Sequence, residues 1–237
     1  MHPRPRLLLF DVFGTCVDWR SGVAREGAAL GRRLGLAGVD WEAFADAWRA
    51  RYQPQMETVR SGQRPWTTLD VLHREALDRV LADFGLESVP AAERDALNLA
   101  WHRLDPWPDT VAGLMQLRRH CIIAPCSNGN IALQIGLARH GGLPWDAILG
   151  AEIARAYKPR AAVYLDSAAV AGVAPAETMM VAAHGNDLAA AASYGLQTAF
   201  VPRPEEFGPA HGGEREPGDD FDVVASDFSD LAAKLGA

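Results

Sequence analysis

The stretch Leu7-Leu8-Leu9-Phe10-Asp11-Val12-Phe13-Gly14-Thr15 constrains the fold of this chain more than any other. An unbroken apolar run reads as a strand buried on both faces, as in a parallel sheet covered by helices. The run ends on a carboxylate, and Gly14 lets the chain turn away directly afterwards. Open α/β sheets collect their chemistry at the carboxyl ends of strands, so Asp11 stands where a functional group belongs. Two positions further on is Phe13, a side chain that can neither bind a metal nor give up a proton.

Residues 18–104 carry helical periodicity and no convincing strand. Trp41, Phe44, Ala45, Trp48, Tyr52 and Met56 recur at the spacing of an amphipathic helix, which Pro54 should kink or end nearby. Pro65 suits the first turn of the next helix, with Leu69, Leu72, Ala76 and Val80 as its stripe and Gly85 as its stop. Pro90 opens a further helix through Leu97, Ala100, Trp101 and Leu104, and Asp105-Pro106-Trp107-Pro108-Asp109 is a stiff junction. Beyond it, helical segments alternate with short apolar ones at 121–126, 147–149, 178–182, 198–201 and 222–225. Such alternation predicts a parallel sheet with helices on both faces. The expected fold is therefore α/β: a doubly wound parallel sheet (a Rossmann-like core) from residues 1–17 and 106–237, with an all-helical cap inserted over 18–105. Residues 203–220, rich in Gly, Pro and acids, read as a surface loop.

The formal net charge of −7 argues against nucleic acid or an anionic membrane as partner, so an anionic ligand would need locally placed cations. Cys16, Cys121 and Cys126 lie in or beside apolar runs without metal-ligand spacing; an odd number of packed thiols fits a reducing cytoplasm. No segment approaches the roughly 20 apolar residues of a membrane span.

Four polar groups follow predicted strands and should meet on one sheet edge: Asp11, Ser127-Asn128, Lys158 and His184-Gly185-Asn186-Asp187. With Phe10-Asp11-x-Phe13-Gly14-Thr15, Ser127-Asn128-Gly129 and Tyr157-Lys158-Pro159 in that order, the chain resembles the haloacid dehalogenase superfamily, and within it the type II (L-2-haloacid) dehalogenases. The resemblance runs through nearly the whole chain, cap included. It implies a hydrolase that converts short 2-haloalkanoic acids to 2-hydroxy acids through an ester on Asp11, with no metal or other cofactor. Lys158 would keep Asp11 ionised, Thr15 and Ser127 would orient the nucleophile or the substrate carboxylate, and Asn128 would face halide or substrate. Asp187 would pair with Lys158 and position the hydrolytic water. His184 and Asn186 belong to the same fourth motif, where alanine and histidine replace the serine and asparagine usual in those enzymes; His184 is a further base or donor. Trp48-Arg49 matches the family's leaving-group arginine, Trp66 is a candidate aromatic wall, and Tyr164 matches a family tyrosine. The superfamily's phosphatases carry a second aspartate at the position of Phe13 and hold Mg²⁺. A halide leaves without protonation, so Phe13 suits a dehalogenase and counts against the alternative, a Mg²⁺-dependent phosphatase. The expected partners are a small 2-haloacid, its halide product and a second copy of the chain in a homodimer.

Overall fold

The computed structural model describes residues 4–209, 211–218 and 220–237. The apolar run forms β1 (Leu7–Phe10), buried at every residue, and the chain turns tightly into β2 (Val17–Asp18). Five helices follow: α1 (Trp19–Leu34), α2 (Trp41–Ala50), α3 (Tyr52–Arg60), α4 (Leu69–Asp83) and α5 (Ala91–Asn98). A 3₁₀ turn at Leu99–His102 leads to β3 (Asp105–Pro106), which pairs antiparallel with β2. The remainder alternates: α6 (Thr110–Leu117), β4 (Ile122–Ser127), α7 (Ile131–Gly141), β5 (Leu149–Gly150), α8 (Ala151–Ala154), α9 (Ala161–Val170), β6 (Thr178–Ala182), α10 (Gly185–Ser193), β7 (Gln197–Phe200), β8 (Val223–Val224) and α11 (Phe228–Lys234).

The main sheet runs β5-β4-β1-β6-β7-β8, every pair parallel. From β1 the chain moves outward through β4 and β5, returns to the other side of β1 at β6, and moves outward again. Direction therefore reverses between β1 and β6, and the loops leaving these two strands diverge to open a crevice at their carboxyl ends. Alternate residues of β1 feed opposite faces, as strand geometry demands. Leu8 and Phe10 join the core under α6, α11 and the cap, whereas Leu7 and Leu9 join Val163, Tyr164 and Leu188 on the other side. The result is a Rossmann-like core with a helical cap. Among the described residues no helix is long and apolar enough to cross a membrane.

Local signals explain most boundaries. Asp40 caps α2 by accepting from the backbone N–H groups of Glu42 and Ala43. Gly85, at φ +69°, ends α4 as the Leu86 N–H reaches back to the Leu81 carbonyl. The helix of Trp41 and Trp48 ends close to Pro54, breaking at Arg51, and Pro54 itself sits in the first turn of α3 where a missing N–H costs nothing. Two expectations are corrected. Pro65 lies outside α4, in a connecting segment where its carbonyl accepts from the Thr67 hydroxyl. The helix opened by Pro90 tightens to 3₁₀ at Leu99 and does not run to Leu104. The first three residues of the expected core, and residues 210 and 219 of the expected loop, lie outside the described residues.

Candidate active site

The turn after β1 presents Asp11, 8% exposed, at the mouth of the crevice. Thr15, one turn later, donates its hydroxyl to Asp11 Oδ2 at 2.7 Å and accepts from the Ala183 N–H at 2.9 Å, tying the loop after β1 to the end of β6. Gly14 adopts φ +86°, and a Cβ there would fall 2.0 Å from Glu206 Oε1, so only glycine lets that carboxylate approach. Cys16 is buried with its thiol donating to the Asp11 carbonyl, and burial pushes its pKa well up, as for a packed thiol.

Lys158 reaches the same carboxylate from the segment before α9. Its Nζ donates to Asp11 Oδ1 at 2.9 Å and also to Asp187 Oδ2. Tyr164, in the first turn of α9, donates to Asp187 Oδ1 at 2.5 Å. Burial alone would raise the Asp11 pKa; the Lys158 charge and the His184 hydrogen bond outweigh it and hold the carboxyl well below the usual range. Burial likewise works against a charged Lys158, but Asp11 and Asp187 carry the ammonium well above its ordinary pKa. Asn128, at the end of β4, accepts from the Lys158 N–H at 2.8 Å and donates to Tyr52 Oη of the cap at 3.1 Å. Ser127 is buried and accepts from the Gly129 N–H, so it orders its own turn and does not touch Asp11.

His184 follows β6 and lies between two carboxylates. Nδ1 is 3.1 Å from Asp11 Oδ2, and Nε2 is 2.8 Å from Glu206 Oε2. Burial opposes protonation, but hydrogen bonds to Asp11 and Glu206 overcome it and the pKa is pushed up to about 10. His184 is thus an imidazolium donating from both nitrogens. Glu206 was not expected here. Residues 203–220 read as surface, yet Arg203 and Glu206 are buried. Arg203 grips Asp109 with both terminal nitrogens at 2.7 and 2.9 Å and donates to the Thr15 carbonyl, while Trp19 Nε1 donates to Glu206 Oε1. The Gly- and Pro-rich composition hid a segment whose first turn is threaded into the core.

On the cap side, Phe13 is 2% exposed, edge-on to Tyr52 and Trp101 with ring centroids 6.4 and 5.5 Å away. Arg49, near the end of α2, places its guanidinium 4.2 Å from the Tyr52 ring centroid and 5.4 Å from that of Trp19. His73 stacks on Trp101 at 4.3 Å, and burial holds its pKa down to about 3, so it is neutral. Arg49 Nη1, Trp101 Nε1 and both His73 ring nitrogens are buried with no hydrogen-bond partner among the described residues.

A cavity of about 870 Å³ joins the two sides, lined by Asp11, Phe13, Arg49, Asn128, Lys158, Tyr164, His184, Asn186 and Asp187 from the sequence-derived set. Tyr52 and Phe207, not singled out from the sequence, complete its aromatic wall. Thr15 and Ser127 stand behind the lining. Trp66 is corrected: it does not line the cavity but packs on Tyr157, 4.9 Å between ring centroids.

With its sheet order, this arrangement is a capped Rossmann-like core that holds a carboxylate at the end of β1 between a lysine and a histidine. The family model described as haloacid dehalogenase-like hydrolase matches residues 5–195, and the chain belongs to that family. It is 30% identical over 204 residues to an (S)-2-haloacid dehalogenase of Xanthobacter autotrophicus, covering 84% of this chain and 75% of that protein. Its fold superposes on the defluorinating L-2-haloacid dehalogenase Rha0230 with TM-score 0.95 at 48% identity, over 98% of this chain and 96% of the other. An L-2-haloacid dehalogenase from Xanthobacter autotrophicus, solved with chloropropionic acid covalently bound, matches at TM-score 0.81 and 25% identity, over 98% and 99% of the two chains.

Proposed function

We propose that this protein is a hydrolytic dehalogenase of short 2-haloalkanoic acids, with Asp11 as nucleophile. The observation that carries the reading is a strand-end carboxylate held ionised by Lys158 and His184, with the Arg49 guanidinium, its Nη1 buried and unpartnered among the described residues, on the wall of the same cavity. Asp11 Oδ1 has a single side-chain partner, Lys158, and is the freer oxygen. It attacks C2 from the side opposite the halogen, the C–O bond forms as the carbon–halogen bond breaks, and C2 inverts. The halide departs toward Arg49, between Tyr52 and Trp19.

Ester formation removes the negative charge of Asp11 and with it one of the causes that keep His184 protonated. His184 then sheds its Nδ1 proton, the one proton that the overall hydrolysis releases, while Glu206 keeps its hold on Nε2. The freed Nδ1 accepts one proton from water as that water attacks Cγ of Asp11; the bond from Cγ to the alkyl oxygen then breaks, the leaving alkoxide takes the second water proton to become the 2-hydroxy acid, and the Asp11 carboxylate is restored. Asp187, engaged by Lys158 and Tyr164, is the less available base. The reading extends to fluorinated acids: fluoride is a strongly hydrated anion, and Arg49, whose Nη1 is buried without a partner among the described residues, offers a donor on the cavity wall. The likeness to a defluorinating enzyme supports this. The phosphatase alternative is disfavoured because Phe13 occupies the position of its acid and the Lys158 ammonium joins Asp11 to Asp187. A single turnover in ¹⁸O-water tests the ester: the label enters the Asp11 carboxylate while the first product stays unlabelled. Label in the first product hydroxyl with Asp11 unlabelled sinks the reading.

A further inference from the structure

A second cavity of about 480 Å³ adjoins the first and shares Arg60, Arg160 and Tyr194 with it. Its wall also carries Arg155. These arginines stand on an otherwise acidic protein, of net charge −7. Deep in the main cavity the formal charges cancel: Asp11 and Asp187 line it with Lys158, His184 and Arg49, and Glu206, behind His184, supplies the third negative charge. At the mouth Arg60 is balanced by Glu57, 2.8 Å away, and is fixed by donating to the Lys158 carbonyl. Arg160 donates only to the Arg60 carbonyl, and Arg155 has no partner; neither pairs with a carboxylate among the described residues. Two positive charges are therefore left over: Arg160 where the two cavities meet, and Arg155 on the wall of the second.

Arg155 carries a further mark. It ends the four-residue helix α8 at φ +49°, and among the described residues it is the one residue other than glycine with positive φ. Glycine is the ordinary occupant of such a cap, and an L side chain there is strained. Backbone geometry alone gives no reason to keep an arginine at this position.

We propose that Arg155 and Arg160, which share the wall of the second cavity with Arg60, form a carboxylate-collecting site beside the mouth, which draws a 2-haloacid anion toward a main cavity whose deeper charges cancel. The inference rests on the dehalogenase reading. The ligand class is a monocarboxylate whose charge is felt before the reacting carbon reaches Asp11. Two charges at roughly 10 Å in water change the encounter by about three- to fivefold at low salt.

Steady-state chloride release from 2-chloropropionate, measured from about 20 to about 300 mM ionic strength, tests it, because the screening length falls severalfold over that range. The Arg155→Gly, Arg160→Gln double variant should show kcat/KM about three- to fivefold below wild type at low salt, with kcat retained and the two converging at high salt. Product inhibition by chloride acts on both proteins and cancels in the comparison. Arg155→Gly alone should keep or raise Tm while lowering kcat/KM, and Arg155→Lys should restore the salt slope. Parallel salt slopes, or a fall in kcat at unchanged KM, overturn the collecting site while chloride release by wild type leaves the dehalogenase reading standing. No chloride release by wild type at any salt overturns the dehalogenase reading itself.

Discussion

The two walls of the cavity are built on opposite principles. On the core wall every charged group is engaged: Lys158 joins Asp11 to Asp187, Tyr164 holds Asp187, and His184 joins Asp11 to Glu206, which Trp19 holds in turn. On the cap wall Arg49 Nη1 is buried among aromatic rings with no such partner among the described residues, and behind that wall Trp101 Nε1 and the neutral His73 ring are unpartnered too. A buried donor left unsatisfied costs about 1–3 kcal/mol, so the cap wall gives up stability that the core wall does not. The difference assigns the labour. On the proposed reading the core wall fixes the attacking oxygen, and fixed dipoles and charges need no reorganisation when the reaction occurs. On the same reading Arg49 keeps its free donor for an anion that exists only once the carbon–halogen bond has broken.

The harshest way to break the comparison is to remove the attacking atom. Asp11→Asn keeps the shape of the core wall but loses the charge, and halide release should fall by on the order of 10⁴ or more. Chloride release measured against circular dichroism separates lost chemistry from a lost fold. Activity within tenfold of wild type would mean that Asp11 is not the nucleophile.

A smaller effect is expected on the cap wall. Arg49→Lys keeps a positive charge but loses the planar group that lies between Tyr52 and Trp19. By analogy with removing one donor to a developing anion, kcat should fall by about 10²–10³. The loss should be larger for fluoroacetate than for chloroacetate, because fluoride depends most on donors that replace its water. Equal losses for the two substrates would show that Arg49 does not receive the halide.

The two walls also differ in how far the sequence reveals them. β1 and Asp11 are legible because a strand buried on both faces has no polar interruption, and the carboxylate marks its end. Lys158, Asp187 and Arg49 are legible through local motifs, each close to the element that carries it. Glu206 is not: it reaches His184 from a segment 22 residues away whose path is set by Arg203 gripping Asp109. Composition reports such a stretch as loop without reporting that its first turn is buried. Tyr52 was legible as a member of a helical stripe but not as the partner of Asn128, since that contact crosses from cap to core. The break at Arg51 was hidden because the apolar spacing continues through it. Trp66 shows the converse error, an aromatic residue near the site in sequence whose ring is spent on packing against Tyr157.

The mildest perturbation sharpens the account of the core wall through its pH dependence. His184 is raised in the folded chain from 6.5 to about 10. A raised folded-state pKa contributes stability that is fully present below the unfolded value and is lost as pH climbs through the folded one. Tm should therefore decline between pH 7 and 10 by more than the rest of the protein accounts for. Glu206→Gln removes one of the two carboxylates that hold the imidazolium and so lowers the folded pKa of His184. The variant should melt about 3–10 °C below wild type at pH 7, the equivalent of one charged hydrogen bond in a chain of this size. The gap should close as pH approaches 10, because there wild-type His184 is losing the same proton. A gap that stays constant across that range would show His184 neutral at rest, and the core wall would then hold its nucleophile with Lys158 as the only cation.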